Sequence, residues 1–173
     1  MFEVVGFYRF VKIYYLAKNQ KVLSETLNKR NIRGTIIISK EGINGTISGK
    51  AADIKFTINK LKKTLKFKYF NSTNISKSSF HPFHKPKVKI KNEVVPMNLI
   101  LNKRIQKKDS HVDPRNWNKL IKEKETILLD ARKPFEFDVG TFKGAINPDV
   151  DNFRDFPKYL KKLKKNQPIA MFC

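Results

Sequence analysis

The chain has 173 residues, 40% of them hydrophobic, and its 37 lysines and arginines against 15 acidic residues give a net charge of +22. This length is enough for one large domain or two small ones, and the 14 phenylalanines argue for packed cores rather than disorder. A single cysteine excludes an internal disulfide, while the lack of a signal-like N-terminus or a long uncharged apolar run argues against secretion and a membrane span. We therefore expect a cytoplasmic protein.

The positive charge is concentrated in the first two thirds of the chain. Residues 1–112 carry 24 Lys and Arg against 6 Asp and Glu, a balance of +18, whereas residues 113–173 carry 13 against 9, a balance of +4. Lysine makes up 30 of the 37 basic residues, as codon bias in an AT-rich genome would produce. A basic N-terminal half that faces nucleic acid is the other explanation, and bias alone would not place the charge on one side. Both explanations can hold together.

Hydrophobic periodicity predicts an α+β domain over residues 1–97. Strand-like patterns alternate with two helical ones, and Asn44-Gly45 indicates a hairpin turn between isoleucine-rich arms. The order β-α-β-β-α-β fits a split β-α-β, ferredoxin-like domain. The predicted strands are residues 2–16 with their exit, 32–39, 41–49 as a hairpin, 67–70 and 87–91, and the predicted helices are 20–30 and 51–65.

The C-terminal part, residues 113–173, follows a polar, basic stretch at residues 98–112 that predicts a linker. It alternates helix-like and strand-like segments, as a parallel α/β unit does. Asp113-Pro114 predicts a helix start, because Asp caps helices and Pro suits their first turn. Further segments are a buried strand at 127–129, a helix starting at Pro134, a short strand at 145–146, a helix within 152–165 interrupted by Pro157, and a buried strand at 169–172.

Polar residues gather where the strand at 127–129 ends. Asp130 and Arg132 follow it directly, and the carboxyl end of a strand is where sites assemble in open α/β sheets. Glu136 falls near the positive end of the next helix, and Gly144 belongs to a turn. We favour a structural role for Asp130 and Arg132, in which their hydrogen bonds hold the strand-to-helix turn, over direct chemistry.

Residues 117–173 resemble a rhodanese domain in three motifs: LLDARKPFEF, G-x-F-K-G-A, and a strand ending in Cys173. Together with SKEGINGTISG, SFHPFHKPKVKIKNEVV and FRDFPKYL, they make nearly the whole chain similar to the rhodanese-related tRNA uridine hydroxylases. The resemblance implies an acylphosphatase-like N-terminal domain, a partial rhodanese-like domain and tRNA as partner. It also implies 5-hydroxylation of the wobble uridine with molecular oxygen as co-substrate, while the cofactor stays unknown.

Cys173 stands where the family has its candidate persulfide cysteine. In the family, a loop of backbone N–H groups and a helix follow this cysteine and stabilise its thiolate. Because the chain ends at Cys173, we expect this activating loop to be missing and this chain alone to show little or no hydroxylation. The resemblance leaves Asp130, Arg132, Glu136 and Gly144 as scaffold of the site.

The N-terminal half offers candidate contacts to substrate or RNA. Glu41 and Asn44 are most simply parts of a hairpin, and the lysines are by default a solvated face, but phosphate contacts are the alternative. His81 and His84 lack a third ligand, so we expect no bound metal. We also expect neither a membrane nor DNA as a partner. The candidate contacts are Arg33, Lys40, Glu41, Asn44, Lys85, Lys87 and Lys89.

Two other functions stay open at this stage. One is a non-catalytic basic protein that binds RNA or relays sulfur. The other is a generic rhodanese-type sulfurtransferase with a small thiol acceptor, although this function leaves the basic N-terminal domain unexplained.

Overall fold

The computed structural model describes residues 1–95, 112–164 and 166–173. The chain divides into two compact units, Met1–Val95 and Pro96–Cys173, each with its own sheet. Nearly all of the linker predicted at residues 98–112 lies outside the described residues. Among the described residues, no helix combines the length and the apolar character that crossing a membrane requires.

The N-terminal unit is a five-stranded mixed sheet with two helices. The strand order is β4-β1-β3-β2-β5, and all neighbours are antiparallel except β5, which pairs in parallel with β2. The first six elements form the predicted split β-α-β arrangement, so the α+β fold class is confirmed. The elements are β1 (Phe2–Phe10), α1 (Leu16–Lys29), β2 (Arg33–Ser39), β3 (Gly42–Gly49), α2 (Ala51–Thr64), β4 (Ser72–Ser78) and β5 (Pro86–Ile90).

One face of this sheet packs against α1 and α2. Side chains alternate between the two faces of a strand, and Phe7, Ile36 and Ile47 point to the helices. Leu27 of α1 and Leu61 of α2 cover them, and each of the five side chains is at most 4% exposed. The alternate strand residues lie on the opposite face, which carries no helix in the described part of this unit.

The predicted turn at Asn44-Gly45 is wrong. Lys40 and Glu41 form the turn between β2 and β3, and Asn44 and Gly45 lie in the middle of β3. A Cβ atom on Gly45 would stand 2.8 Å from the carbonyl oxygen of Thr35. Glycine at this position therefore allows the neighbouring strands to approach closely, and it does not mark a turn.

The strand predicted at residues 67–70 is also wrong. Phe67 is buried, and its ring centre lies 5.0 Å from that of Phe70, so this segment supplies core side chains without joining the sheet. The fourth strand is β4, STNISKS, an edge strand whose residues are almost all exposed. Hydrophobic alternation could not reveal it because neither face of β4 is buried. The strand predicted at 87–91 is confirmed as β5, but it is a fifth strand in addition to the four of the split β-α-β arrangement.

Helix α1 begins at Leu16, one turn before the predicted residue 20. Tyr15 precedes it in the left-handed conformation with φ of 52°. The side chain of Asn19 donates to the carbonyl oxygen of Tyr14 at 2.8 Å, which ties the chain entering the helix to its first turn. The second predicted helix agrees with α2, where Asp53 lies in the first turn, near the positive end of the helix dipole.

The described part of the C-terminal unit is a small parallel α/β arrangement. Strands β6 and β7 pair in parallel, and Ile146 adds a single parallel bridge to Leu129. Leu128 and Leu129 are at most 5% exposed, as predicted for a strand buried on both faces. The elements are α3 (Pro114–Leu120), β6 (Ile127–Asp130), α4 (Pro134–Val139), α5 (Phe156–Leu160) and β7 (Ile169–Phe172).

Three predictions for this unit need correction. The helix expected within residues 152–165 is only five residues long, and Pro157 lies in its first turn, where proline is tolerated, instead of interrupting it. The strand piece at 145–146 amounts to one bridge. Strand β7 is not fully buried, since Ala170 is buried but Met171 is 49% exposed. The predicted cap is confirmed: the Asp113 carboxylate accepts from the backbone N–H of Arg115 at 2.9 Å.

Candidate functional site

The carboxyl end of β6 carries a buried ion pair. Asp130 has no exposed surface, and its two oxygens accept from Nε and Nη2 of Arg132 at 2.9 and 2.6 Å. The backbone N–H of Arg132 donates to the same carboxylate at 3.1 Å. Since a buried carboxylate must be paired to avoid a large desolvation cost, Arg132 is the group that allows Asp130 to stay charged.

These hydrogen bonds stabilise the charged forms of both groups. Hydrogen bonds from Arg132, opposed by burial and assisted by Thr141, lower the pKa of Asp130 to about 2. The same bonds raise the pKa of Arg132. The pair is therefore ionised across the physiological pH range.

Arg132 also fixes the loop that follows α4. Its Nη2 atom donates to the carbonyl oxygen of Gly140 at 2.7 Å, in addition to its bond with Asp130. Thr141, the next residue, donates its hydroxyl to the Asp130 carboxylate at 2.8 Å. Residues 140–141 are thus held at the end of β6 by two side chains, although α4 lies between them in sequence.

Asn147 is a further member of this network that the sequence did not single out. Its Nδ2 atom donates to the carbonyl oxygens of both Asp130 and Arg132, each at 3.0 Å. Its side-chain oxygen accepts from the backbone N–H of Asp149 at 2.8 Å. A polar side chain directly after Ile146, the residue that bridges to β6, was the available signal for Asn147. Thr141 had no such signal.

Glu136 and Gly144, the other two predicted scaffold residues, have separate structural roles. The Glu136 carboxylate accepts from the backbone N–H of Lys133 at 3.3 Å, so it caps the start of α4. Gly144 has φ of +82°, a left-handed conformation that favours glycine. Neither residue lines the depression that contains Cys173.

Cys173 is exposed and follows β7 directly. It lines an open depression with Arg132 and with the loop that Arg132 holds. The guanidinium of Arg132 lies 5.6 Å from the ring centre of Phe172. The complete lining is Arg132, Gly140, Thr141, Phe142, Phe172 and Cys173.

Aromatic side chains form one wall of this depression. Phe142 and Phe172 meet edge to face with ring centres 4.9 Å apart, and Trp117 of α3 packs against both, at 5.9 and 6.1 Å. An arginine and a cysteine thus share a pocket whose other lining residues are two phenylalanines, Gly140 and Thr141. The pocket therefore places a thiol and a guanidinium in one depression, and none of its lining residues could act as a general base.

Four of the seven predicted contact residues of the N-terminal unit share one face of the sheet. Arg33, Asn44, Lys87 and Lys89 alternate with the core residues of β2, β3 and β5, so they lie on the face opposite the helices. The structure therefore brings together residues that are up to 56 positions apart (89 minus 33).

The other predicted contacts do not join that group. Glu41 is engaged, since its Oε1 atom accepts from the backbone N–H of Val94 at 2.8 Å. Lys40 is exposed in the β2–β3 turn. Lys85 precedes β5, and its carbonyl oxygen accepts from the backbone N–H of Gly34 at 3.2 Å.

His81 has a specific environment. Its Nδ1 atom lies 3.2 Å from the hydroxyl of Ser48, and its ring centre lies 3.9 Å from that of Phe2. Burial, followed by the charge of Arg33, lowers the pKa of His81. Among residues 1–95, 112–164 and 166–173, no three His, Cys, Asp or Glu side chains converge as metal ligands.

Comparison with known families matches the two units separately. The model of the UPF0176 acylphosphatase-like domain matches residues 2–94, and that of the rhodanese-like domain matches residues 113–173. Among solved structures, an acylphosphatase from Bacillus subtilis is similar to 51% of this chain and 99% of its own, with 10% identity and a TM-score of 0.39. An acylphosphatase from Coxiella burnetii covers 51% and 90% with 9% identity and a TM-score of 0.36.

Curated relatives match the chain along its whole length. The tRNA uridine(34) hydroxylase of Pelagibacter ubique is 65% identical over 173 residues, which are 100% of this chain and 57% of the relative. The protein of the same name from Bartonella quintana is 36% identical over 181 residues, or 99% of this chain and 58% of the relative. The chain thus spans less than three fifths of the length of these relatives.

Proposed function

Because this chain belongs to the family of the UPF0176 acylphosphatase-like domain and is similar over its whole length to curated tRNA uridine(34) hydroxylases, we propose that it is part of an enzyme that hydroxylates the wobble uridine of tRNA. The single observation that carries the proposal is the 65% identity to one such protein over all 173 residues. The relatives are longer, so the activity is proposed for the protein of full family length.

We place the chemistry at the depression around Cys173. Cys173 would be the reactive group, and Arg132 would favour the anionic form of a bound group beside it. Asp130 would act through Arg132, as a positioning residue that fixes the guanidinium. Molecular oxygen is the co-substrate that the resemblance implies. Arg132 and Asp130 would contribute by holding and charging the site beside Cys173.

We propose that tRNA contacts the N-terminal unit. Residues 1–95 contain 20 Lys and Arg against 5 Asp and Glu, a balance of +15, which would attract a polyanion. A tRNA partner also accounts for the cytoplasm as the proposed location. A role in DNA binding has no support in the relatives' names.

The experiment that tests this function uses the protein at full family length. In a bacterial strain without its own wobble hydroxylase, the wild-type gene should restore 5-hydroxyuridine in tRNA, measured by mass spectrometry of digested tRNA. Cys173→Ala should abolish the product, because no other residue of the depression carries a thiol. Met171→Ala, two residues earlier and exposed outside the depression, is the matched control and should retain activity.

A sulfurtransferase is the second candidate, favoured by the match of residues 113–173 to the rhodanese-like domain. It predicts that purified protein transfers the outer sulfur of thiosulfate to a small thiol and releases sulfite, so the persulfide of the acceptor and the sulfite are the readouts. If tRNA from the complemented strain lacks 5-hydroxyuridine while sulfur transfer depends on Cys173, the sulfurtransferase replaces the hydroxylase as the function.

A further inference from the structure

We propose that the helix-free face of the N-terminal sheet binds an unpaired segment of RNA. We call this surface the open face. The inference rests on the proposed tRNA-modifying function and adds where RNA binds and which kind of RNA is bound. The strand pairing places the residues of this face in three rows that cross the sheet: Ser72, Tyr8, Asn44, Ile37 and Lys89; Asn74, Gly6, Thr46, Thr35 and Lys87; Ser76, Val4, Ser48 and Arg33. In the third row Ser48 is buried, and its hydroxyl lies 3.2 Å from Nδ1 of His81.

Each row of the open face ends in a cation on the β2–β5 side. These cations are Arg33, Lys87 and Lys89, and the three rows contain no carboxylate. Lys87 and Lys89 are two residues apart on one strand, which separates their Cα atoms by about 6.6 Å. A line of positive side chains without acidic neighbours along one edge is suited to contact with successive phosphates of one strand.

The centre of the open face is flat and polar. Gly6, Thr35 and Thr46 lie next to each other in the middle row, and none has a long side chain. Thr46 is exposed, and so is Asn74 at the end of that row. Small side chains leave room for planar groups to lie on the sheet, and their amide and hydroxyl groups offer hydrogen bonds to base edges.

Aromatic pairs stand at the two ends of strand β1. Phe2 packs against His81 at a tilt with ring centres 3.9 Å apart, and Tyr8 meets Phe10 edge to face at 6.0 Å. Phe2, Tyr8 and Phe10 have the same strand parity as Gly6, so they lie on the open face. Phe2 and Tyr8 are six positions apart on the strand, a separation of about 20 Å that spans several nucleotides.

These features favour unpaired RNA over an RNA duplex. Bases of a single strand can be splayed out to stack on aromatic rings, whereas bases in a duplex are already stacked and offer only a shallow minor groove. The open face has aromatic side chains at both ends of β1 and cations along one edge, and the described part of the unit places no helix on it that could enter a groove. The loops of a tRNA provide such unpaired segments.

The test compares two triple variants of the 173-residue chain that lose the same charge. Arg33→Gln, Lys87→Gln and Lys89→Gln together remove the cations of the open face. Lys21→Gln, Lys55→Gln and Lys63→Gln remove three exposed lysines from α1 and α2, which lie on the other side of the sheet. Binding is measured by fluorescence anisotropy with labelled oligouridine of roughly twelve nucleotides, an RNA duplex of equal length, and a tRNA transcript.

We expect the open-face triple to weaken oligouridine binding by about tenfold or more, and the helix triple by less than about threefold. The dependence of log Kd on log salt should decrease by about 2 in the open-face triple, because three phosphate contacts are lost. Equal weakening by both triples, or tighter binding of the duplex than of oligouridine, would overturn the proposal. If the half-buried Arg33 is needed for folding, the pairs Lys87→Gln/Lys89→Gln and Lys55→Gln/Lys63→Gln replace the triples.

The tRNA transcript separates this proposal from the function on which it rests. If the wild-type chain binds neither oligouridine nor tRNA, the tRNA-modifying function itself loses support. If the wild type binds tRNA and the open-face triple binds it equally well, tRNA remains the partner and the open face is excluded as its site.

Discussion

The side chains of Asp130 and Arg132 meet in a two-point ion pair, and Asp113 and Arg115 repeat the same contacts at the same spacing. The distances from carboxylate to Nε and Nη2 are 2.9 and 2.6 Å in the first pair and 2.9 and 2.9 Å in the second. The two pairs differ in burial, since the side chain of Asp130 is 0% exposed and that of Asp113 is 42% exposed. The chain therefore contains its own control for the effect of burial on this ion pair.

We expect Asp130→Asn to lower the free energy of unfolding of the C-terminal unit by about 2 kcal/mol, because Arg132 and Thr141 lose a charged acceptor in a buried place. Trp117, the only tryptophan, packs in this unit and reports its unfolding by fluorescence in urea. Asp113→Asn should leave the urea midpoint almost unchanged, since exposed ion pairs contribute little. A larger loss in Asp113→Asn than in Asp130→Asn would contradict the importance of burial.

The stability of the C-terminal unit should also depend on pH through Asp130. Its pKa is lowered from 3.8 to about 2 in the folded state, mainly by the hydrogen bonds from Arg132. A depressed carboxyl pKa stabilises the fold above the unfolded value, and this contribution is lost as pH falls from about 5 towards 2. The difference in unfolding free energy between wild type and Asp130→Asn should therefore shrink over this range in urea titrations. A constant difference between pH 6 and pH 3 would show that the charge of Asp130 is not responsible.

Gly144 and Gly140 have equally open surroundings but different backbone conformations, so alanine substitutions at the two positions isolate the effect of a left-handed φ. A Cβ atom would meet nothing within 4 Å at either residue, but Gly144 has φ of +82° and Gly140 has an extended φ of 162°. We expect Gly144→Ala to cost about 1 kcal/mol and Gly140→Ala to be neutral or slightly stabilising. Thermal unfolding followed by Trp117 fluorescence measures both. Equal effects in the two variants would indicate that the turn at Gly144 adopts another conformation.

Glu41 should matter for stability and not for RNA binding. Its carboxylate accepts from the buried backbone N–H of Val94, so Glu41→Ala leaves that donor without a partner and should cost about 1 to 2 kcal/mol. Glu41→Gln keeps an acceptor at the same position and should cost less. Urea unfolding followed by circular dichroism, together with the anisotropy assay, measures both effects. A substrate role would instead appear as weaker RNA binding at unchanged stability.

The sequence was most informative where one chemical cause dominates. Ile36 and Ile38 of β2 and the leucines of β6 are buried, and hydrophobic pattern alone located those strands. The sequence was ambiguous at Asn44-Gly45, where glycine serves strand packing, and it was silent for β4, whose polar residues are exposed on both faces. Pattern methods register burial, so an edge strand without a buried face leaves no signal.

The candidate site shows the same limit. The position of Asp130 and Arg132 after a buried strand indicated a site, because strand ends are predictable. Thr141 and Asn147 were missed because their contacts depend on how the chain folds back after α4, and spacing along the sequence does not contain that path. The grouping of Arg33, Lys87 and Lys89 likewise follows from the parallel pairing of β5 with β2.

The central place of β1 has a consequence for the order of folding. Its partners in β3 lie 32 to 46 residues away, from Phe10–Gly42 to Glu3–Gly49, and its partners in β4 lie 64 to 76 residues away. Only the β2–β3 hairpin joins neighbours in sequence, and short loops close faster than long ones. We therefore expect amides of β2 and β3 to gain protection in pulsed hydrogen exchange before those of β1. During synthesis on the ribosome, β1 would then lack a partner until Gly49 at the end of β3 has emerged, and its other edge would stay unpaired until Ser78 at the end of β4 has emerged.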